Sequence, residues 1–196
     1  MLKYYFGTMA SGKSATLLMN VYQKENNGIR CLVLKPNENR DGEYISSRVG
    51  LSRRCMTFTE SDSMYEIINN KIVENKIQEI YIDECQFLSK EQVKQIWNIS
   101  NFFNITINCF GLKTTYKNEL FTGASALMVY ADSIIEIKPS CTCKYCKGTA
   151  TTHLLVVDDK VVLDFPEKFE GDIQGATRFE CVCQFCWNEK TKNIHF

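Results

Sequence analysis

The chain has 196 residues, 23 basic and 23 acidic, so its formal charge is zero and no field of one sign advertises a nucleic-acid or membrane surface. That length buries one good core and leaves room for a small appendage, without demanding two large domains. No stretch is as long as a membrane span, and the N-terminus lacks the basic, apolar and small-residue order of a secretory signal, which sets the expectation of a cytoplasmic protein.

Leu2 to Phe6 reads as a strand, and directly behind it stands GTMASGKS, in which Gly7, Gly12, Lys13 and Ser14 meet the pattern G-x-x-x-x-G-K-[ST]. Glycines let the backbone N–H groups of such a loop, here through Thr8, Met9, Ala10 and Ser11, turn inward around phosphate oxygens. The following helix adds its positive end, Lys13 puts a point charge on the outer phosphates, and Ser14 offers a hydroxyl to Mg²⁺. That helix is expected to carry Leu17, Leu18, Val21 and Tyr22 on its inner face. Cys31 to Leu34 is the next strand. From Lys35 to Arg54 the pattern breaks into a polar, turn-rich run without a convincing period, the signature of a lid or of a mobile loop.

Ser63 with Glu66 and Ser89 with Gln92 have the spacing of helix capping boxes. They open helices with Tyr65, Ile68 and Ile72, and with Val93, Ile96 and Trp97, at core spacing. Between these helices, Ile80 to Ile82 is a buried strand that ends on Asp83 and Glu84. A phosphate site needs a carboxylate at the end of a neighbouring strand to hold the metal's water shell, and Asp83 meets that need. Glu84 stands one residue further on, at the edge of the sheet where ligands of such folds sit, placed to take a proton from an attacking hydroxyl or to polarise a hydrolytic water. Ile105 to Phe110 is a further strand. Strands alternating with helices give the expected fold class: an α/β protein with a P-loop NTPase-type parallel sheet flanked by helices.

Past Pro139 cysteine pairs and short β-like runs, Leu154 to Val157 and Val161 to Phe165, indicate a small zinc-stapled β module. The expected division is 1–139 and 140–196. Of the ten cysteines, Cys31, Cys55, Cys85 and Cys109 sit in apolar runs and read as small buried hydrophobes. Cys143 with Cys146 and Cys183 with Cys186 form two CxxC pairs, the spacing of a closed, structural four-thiolate zinc site. Cys141 and Cys181 stand two residues upstream of these pairs, each an alternative ligand. The symmetric pairs are the preferred set. His153 and His195 have no partner pattern, and core or surface positions are their default.

Taken together, GTMASGKS, SSRVGLS at Ser46 to Ser52, DECQFL at Asp83 to Leu88, GLKTTYKNELFTG at Gly111 to Gly123 and the paired CxxC resemble, in order and spacing, the zinc-containing, phosphate-loop (type II) thymidine kinases. The resemblance spans nearly the whole chain. It implies transfer of the γ-phosphate of ATP, with Mg²⁺, to the 5′-hydroxyl of thymidine or deoxyuridine, with Glu84 as general base and Asp83 associated with the metal. It further implies Arg40 reaching the phosphates from the lid. Phe87, Leu112, Tyr116 and Phe121 match the walls of the base pocket, and Ile173, Gln174, Gly175 and Phe179 a loop of the zinc module, the lasso, that grips the base. Structural Zn²⁺, feedback inhibition by dTTP and a homotetramer follow from the same resemblance. The chain departs from the family pattern at Glu38 and Thr115, where Asp is usual, at Gln174, where Gly is usual, and at Phe179, where Tyr is usual. Three other readings of the motifs are a nucleotide hydrolase, a non-catalytic dTTP sensor and a zinc-ribbon module that binds DNA. The balanced charge and the kinase elements weigh against nucleic acid.

Overall fold

The computed structural model describes residues 1–37, 42–163 and 177–192. In chain order, β1 (Leu2–Phe6) leads into α1 (Lys13–Asn26) and β2 (Cys31–Pro36). A hairpin of β3 (Tyr44–Ser46) and β4 (Ser52–Arg54) follows, then β5 (Met56–Phe58), α2 (Met64–Asn75), β6 (Glu79–Ile82) and a 3₁₀ turn at Cys85–Phe87. The first part closes with α3 (Lys90–Phe103), β7 (Thr106–Gly111), α4 (Thr122–Tyr130) and β8 (Ser133–Glu136); the second comprises β9 (Thr152–Val157), β10 (Lys160–Val162), β11 (Thr177–Val182) and α5 (Gln184–Thr191).

Six strands form one sheet in the order β5-β2-β6-β7-β1-β8, and every pairing in it is parallel. Such a sheet must be covered on both faces, so its strands are apolar at successive positions while the period of two sorts them by face. Leu32, Leu34, Ile80, Ile82, Ile107 and Cys109 pack with α2, α3 and α4 on one side. Val33, Tyr81 and Phe110 pack against Leu17, Leu18 and Val21 of α1, and against Ile45 of the hairpin, on the other. Each fully buried Leu, Ile or Val in these layers contributes roughly 1.5 to 3 kcal/mol. The expected α/β class is therefore the observed one.

Local signals explain most boundaries. Ser89 and Gln92 form a reciprocal capping box at the start of α3, and the Ser63 hydroxyl accepts from the Glu66 N–H at the start of α2. Two stripe positions are corrected. Tyr22 is 67% exposed, because it lies about 140° round the helix from Leu17, and Tyr65 is also exposed, the buried residue of that turn being Met64. From Tyr44 on, the polar run is more ordered than its pattern indicates: β3 pairs with β4, Ile45 is buried, and the Lys35 amine donates to the Tyr44 carbonyl at 2.7 Å.

A second, antiparallel sheet of order β10-β9-β11 packs Leu154, Leu155, Val156 and Val182 with Cys186 and Trp187 of α5 into a core of its own. Tyr116, from the loop after β7, is buried in that core, and Thr152 of β9 donates to Asn118 of the same loop at 2.6 Å. The second sheet is thereby tied to the open, C-terminal edge of the first.

Candidate active site

The phosphate loop leaves β1 between β7 and β8. Gly7 N–H reaches the Gly111 carbonyl at 3.4 Å, and the loop then curls through Ser11 N–H to the Thr8 carbonyl at 3.3 Å. Ala10 has a φ of 56° and Gly12 a φ of 85°, both left-handed. Gly12 is the N-cap of α1 and supplies no capping side chain, and the first turn of α1 holds no acidic residue. By contrast α2 and α3 are capped by serines and carry acids in their first turns. A helix start without cap or acid leaves its N–H groups and positive dipole end for an anion. Among the described residues nothing accepts from the N–H of Ala10 or Gly12. The Ser11 hydroxyl is buried with no partner. These orphaned donors are the fit that a set of phosphate oxygens would complete.

Lys13 is 7% exposed and donates to the Thr8 and Gly7 carbonyls at 2.8 and 3.4 Å. Burial lowers its pKa, and the nearby Glu84 and Asp83 carboxylates act in the opposite sense. Asp83 follows β6, is 4% exposed and accepts from the Glu84 N–H at 3.0 Å, and the Ser14 hydroxyl close by holds its pKa down in part. Ser14 and Asp83 are thus adjacent oxygen donors of the type Mg²⁺ takes.

Burial, reinforced by the Glu84 carboxylate, pushes the Asp83 pKa up to about 7. An aspartate with its folded pKa above its unfolded value binds more protons folded than unfolded between about pH 4 and pH 7, so stability falls as pH rises through that window. In the absence of nucleotide, Asp83→Asn is therefore expected to be more stable than the parent at pH 8, by on the order of 2 to 4 kcal/mol, with the gap closing toward pH 4. His153 contributes the opposite slope, since burial and the Lys13 charge hold its pKa down to about 4. Urea denaturation of both proteins across pH isolates Asp83 as the difference. A variant no more stable than the parent at pH 8 would show an ionised Asp83 stabilised by Lys13.

Glu84 occupies the left-handed region, with a φ of 50°, a cost of order 1 to 3 kcal/mol that clusters at functional sites. Its carboxylate accepts from Gln86 Nε2 at 2.6 Å, while Gln86 Oε1 accepts from the Leu112 N–H at 2.9 Å. One buried amide thus locks the acid to the loop after β7. The glycines that bound GLKTTYKNELFTG exist for this turn. A Cβ on Gly111 would meet Gln86 Oε1 at 2.5 Å and Cys85 Sγ at 2.7 Å, and one on Gly123 would meet three carbonyls of residues 85–88 at 2.7 Å. Gln86 was not singled out from sequence; an amide two residues after an acid carries no signal until the fold brings Leu112 to it.

Phe87 and Phe121 meet edge to face at 5.8 Å; Leu112 is buried just after β7, and Tyr116 in the core of the second sheet. Phe179 lies on β11, 5.7 Å from the His153 ring. Thr115 accepts from the Lys117 N–H at 3.2 Å, the same turn bond an aspartate makes, which explains how Thr stands in that position. Glu38, Arg40, Ile173, Gln174, Gly175 and His195 lie outside the described residues.

The sulfurs of Cys141, Cys146, Cys183 and Cys186 all lie within 4.8 Å of one another. Cys146 Sγ stands 3.9 Å from Cys183 Sγ and 3.5 Å from Cys186 Sγ, close to the spacing of about 3.8 Å that a tetrahedral zinc with 2.3 Å bonds requires. Cys141, which the Cys141 N–H to Gly148 carbonyl bond at 2.8 Å fixes in place, takes the corner expected for Cys143, and its sulfur accepts from the Cys183 N–H at 3.3 Å. This corrects the symmetric pairing. Cys143 stays at the rim, near Cys146 and Cys186. Cys183 is the N-cap of α5, a helix start whose N–H groups favour its thiolate. The other four cysteines are confirmed as packing groups: Cys55, Cys85 and Cys109 are buried and Cys31 is partly so. His153 is 4% exposed, a core position as expected, and lines a small cavity with Gly7 and Thr8 that nothing in its sequence context signals.

The family model described as thymidine kinase matches residues 1–187. The thymidine kinase of Shewanella oneidensis is 37% identical over 194 aligned residues, covering 95% of this chain and 98% of that protein. The thymidine kinase of Mannheimia succiniciproducens is 33% identical over 198 aligned residues, 99% of this chain and 98% of its own. That of Coxiella burnetii is 35% identical over 186, covering 93% and 92%. With its phosphate loop, acidic pair and thiol cluster spanned by these matches, the chain belongs to the thymidine kinase family.

Proposed function

We propose that this protein transfers the γ-phosphate of ATP to the 5′-hydroxyl of thymidine, and less readily of deoxyuridine, serving nucleoside salvage for DNA synthesis. The observation that carries the reading is the Glu84–Gln86–Leu112 linkage, because it ties an acid close to the phosphate-loop lysine to the loop after β7, where the residues assigned to the base stand. A hydrolase has no use for a link from its acid to an acceptor loop. Phosphoryl transfer has a loose transition state, so positioning dominates. Gly7 to Ser14 hold the donor phosphates, and Lys13 neutralises charge on the outer ones. Ser14 and Asp83 would hold Mg²⁺, which shields the phosphate oxygens. Glu84 orients the 5′-hydroxyl and accepts its proton. Phe87, Leu112, Tyr116 and Phe121 wall the base, with Phe179 and the residues around Gln174 closing over it. Loss of the thymine methyl in such a pocket costs only about 1 to 3 kcal/mol, so deoxyuridine remains a substrate. Arg40 is assigned to the phosphates, and Zn²⁺ to Cys141, Cys146, Cys183 and Cys186 as a structural ion. The same reading divides the chain into a kinase domain at 1–139 and a zinc-binding lasso domain at 140–196. It includes dTTP as feedback inhibitor, a homotetramer and a cytoplasmic setting. Among the described residues no helix is long and apolar enough to cross a membrane.

A panel of deoxynucleosides with Mg-ATP tests this. Formation of the 5′-monophosphate with thymidine and deoxyuridine alone is expected. ADP release independent of nucleoside would replace the kinase by a hydrolase, and retained dTTP binding without turnover would replace it by a sensor.

A further inference from the structure

The second sheet meets the phosphate loop through a pair of residues that the kinase mechanism leaves unused. In the antiparallel pairing of β9 and β11, Cys181 stands directly opposite His153, so both side chains leave the same face of the sheet. Phe179, two residues before Cys181, shares that face. His153 lines a small cavity with Phe6, Gly7 and Thr8, and its ring makes no hydrogen bond among the described residues. The Cys181 thiol lies in direct contact with the Met9 carbonyl. Each residue is 4% exposed, so the contact face is closed to water.

The Met9 carbonyl belongs to the same peptide unit as the Ala10 N–H. In a planar trans peptide these two groups point in opposite directions, so holding the carbonyl toward β11 sends the N–H to the other side. That N–H has no acceptor among the described residues, and Ala10 itself sits at a φ of 56°, a conformation a non-glycine residue keeps only when its surroundings enforce it. Close by, the Ser11 hydroxyl is buried and unpartnered.

The geometry points to Cys181 as a positioning residue for the ATP site: its thiol fixes the Met9–Ala10 peptide so that the Ala10 N–H faces the nucleotide phosphates, with His153 bracing the loop at Gly7 and Thr8. The inference rests on the reading of this loop as the ATP cradle. Since Cys181 lies two residues before Cys183, the strand that leads into the zinc ligand also sets the phosphate loop. The zinc module thereby acts on the donor site as well as the acceptor site. The Thr8 hydroxyl also reaches the Met9 carbonyl, at 3.3 Å, so removing the thiol leaves a weaker partner and a graded effect.

The test uses full-length, zinc-loaded protein and compares Cys181→Val, which keeps the bulk and loses the donor, with Cys181→Ser, which keeps a donor. Mg-ATP affinity measured by calorimetry without nucleoside is expected to fall about five- to tenfold in Cys181→Val, the worth of one hydrogen bond. The KM for thymidine and the zinc content are expected to stay unchanged, and Cys181→Ser to lie within about twofold of the parent. Unchanged ATP affinity in Cys181→Val, equal losses for ATP and thymidine, or a serine variant as weak as the valine one would each overturn the assignment. If the valine side chain prevents folding, Cys181→Ala carries the same comparison. Failure of both to retain zinc while Cys181→Ser retains it would make Cys181 a structural element of the module instead. Absence of Mg-ATP binding by the parent would strike the cradle reading itself, an outcome distinct from all of these.

Discussion

Glu84→Gln is expected to lower phosphoryl transfer to thymidine by about 10² to 10⁴ while Mg-ATP and thymidine still bind within a few-fold of the parent. The substitution is nearly isosteric, and an amide oxygen at position 84 still accepts from Gln86 Nε2, so the turn and its link to Leu112 persist. What disappears is the group that takes the proton from the 5′-hydroxyl. Lys13 also loses one of the two carboxylates that oppose the effect of its burial, a loss that bound phosphates make good. Glu84→Asp is a sharper control. It keeps the charge but withdraws it by about one carbon–carbon bond, away from Gln86, and positioning in a loose transition state tolerates little of that. Single-turnover kinetics beside binding calorimetry separates the two effects. Turnover within tenfold of the parent in Glu84→Gln would remove this residue as the base.

The second large effect concerns the thiols. Cys183→Ser and Cys141→Ser are each expected to lose zinc and disorder the second sheet, whereas Cys143→Ser retains the ion. A closed four-thiolate site contributes on the order of 10 kcal/mol to its module, far more than the small core around Leu154, Leu155 and Trp187 supplies alone. Tyr116 is buried in that core, so thymidine affinity falls with it. Zinc content by atomic absorption, with thymidine KM, reads both. Loss of zinc in Cys143→Ser with retention in Cys141→Ser would restore the symmetric CxxC pairs.

The sequence already carried the parts of the site whose chemistry is local. A phosphate loop is a contiguous run whose glycines, lysine and serine act through their own backbone and the helix they start, so Gly7 to Ser14 was legible as such. Asp83 and Glu84 were legible because a buried strand of four residues announces its own end. The α/β class followed from alternating periods, and the Ser89 cap from four residues. Elements without a strong local signal were not legible. β5 has three residues, β8 is an edge strand of four, and α4 (TGASALMVY) starts at Phe121 with no side-chain cap and has small residues on its buried face.

What only the tertiary structure decided are the contacts between segments far apart in the chain. Sequence spacing favoured Cys143 over Cys141, but a backbone bond to Gly148 and the approach of α5 select the thiol that reaches the other three. Gln86 gains its role from Leu112, and Cys181 and His153 gain theirs from a strand pairing that sets them against a loop some 145 to 172 positions earlier. The physical reason is the same in each case. A motif is readable when its function depends on neighbours along the chain; a side chain whose partner arrives through folding carries no mark in its own surroundings until the sheets are assembled.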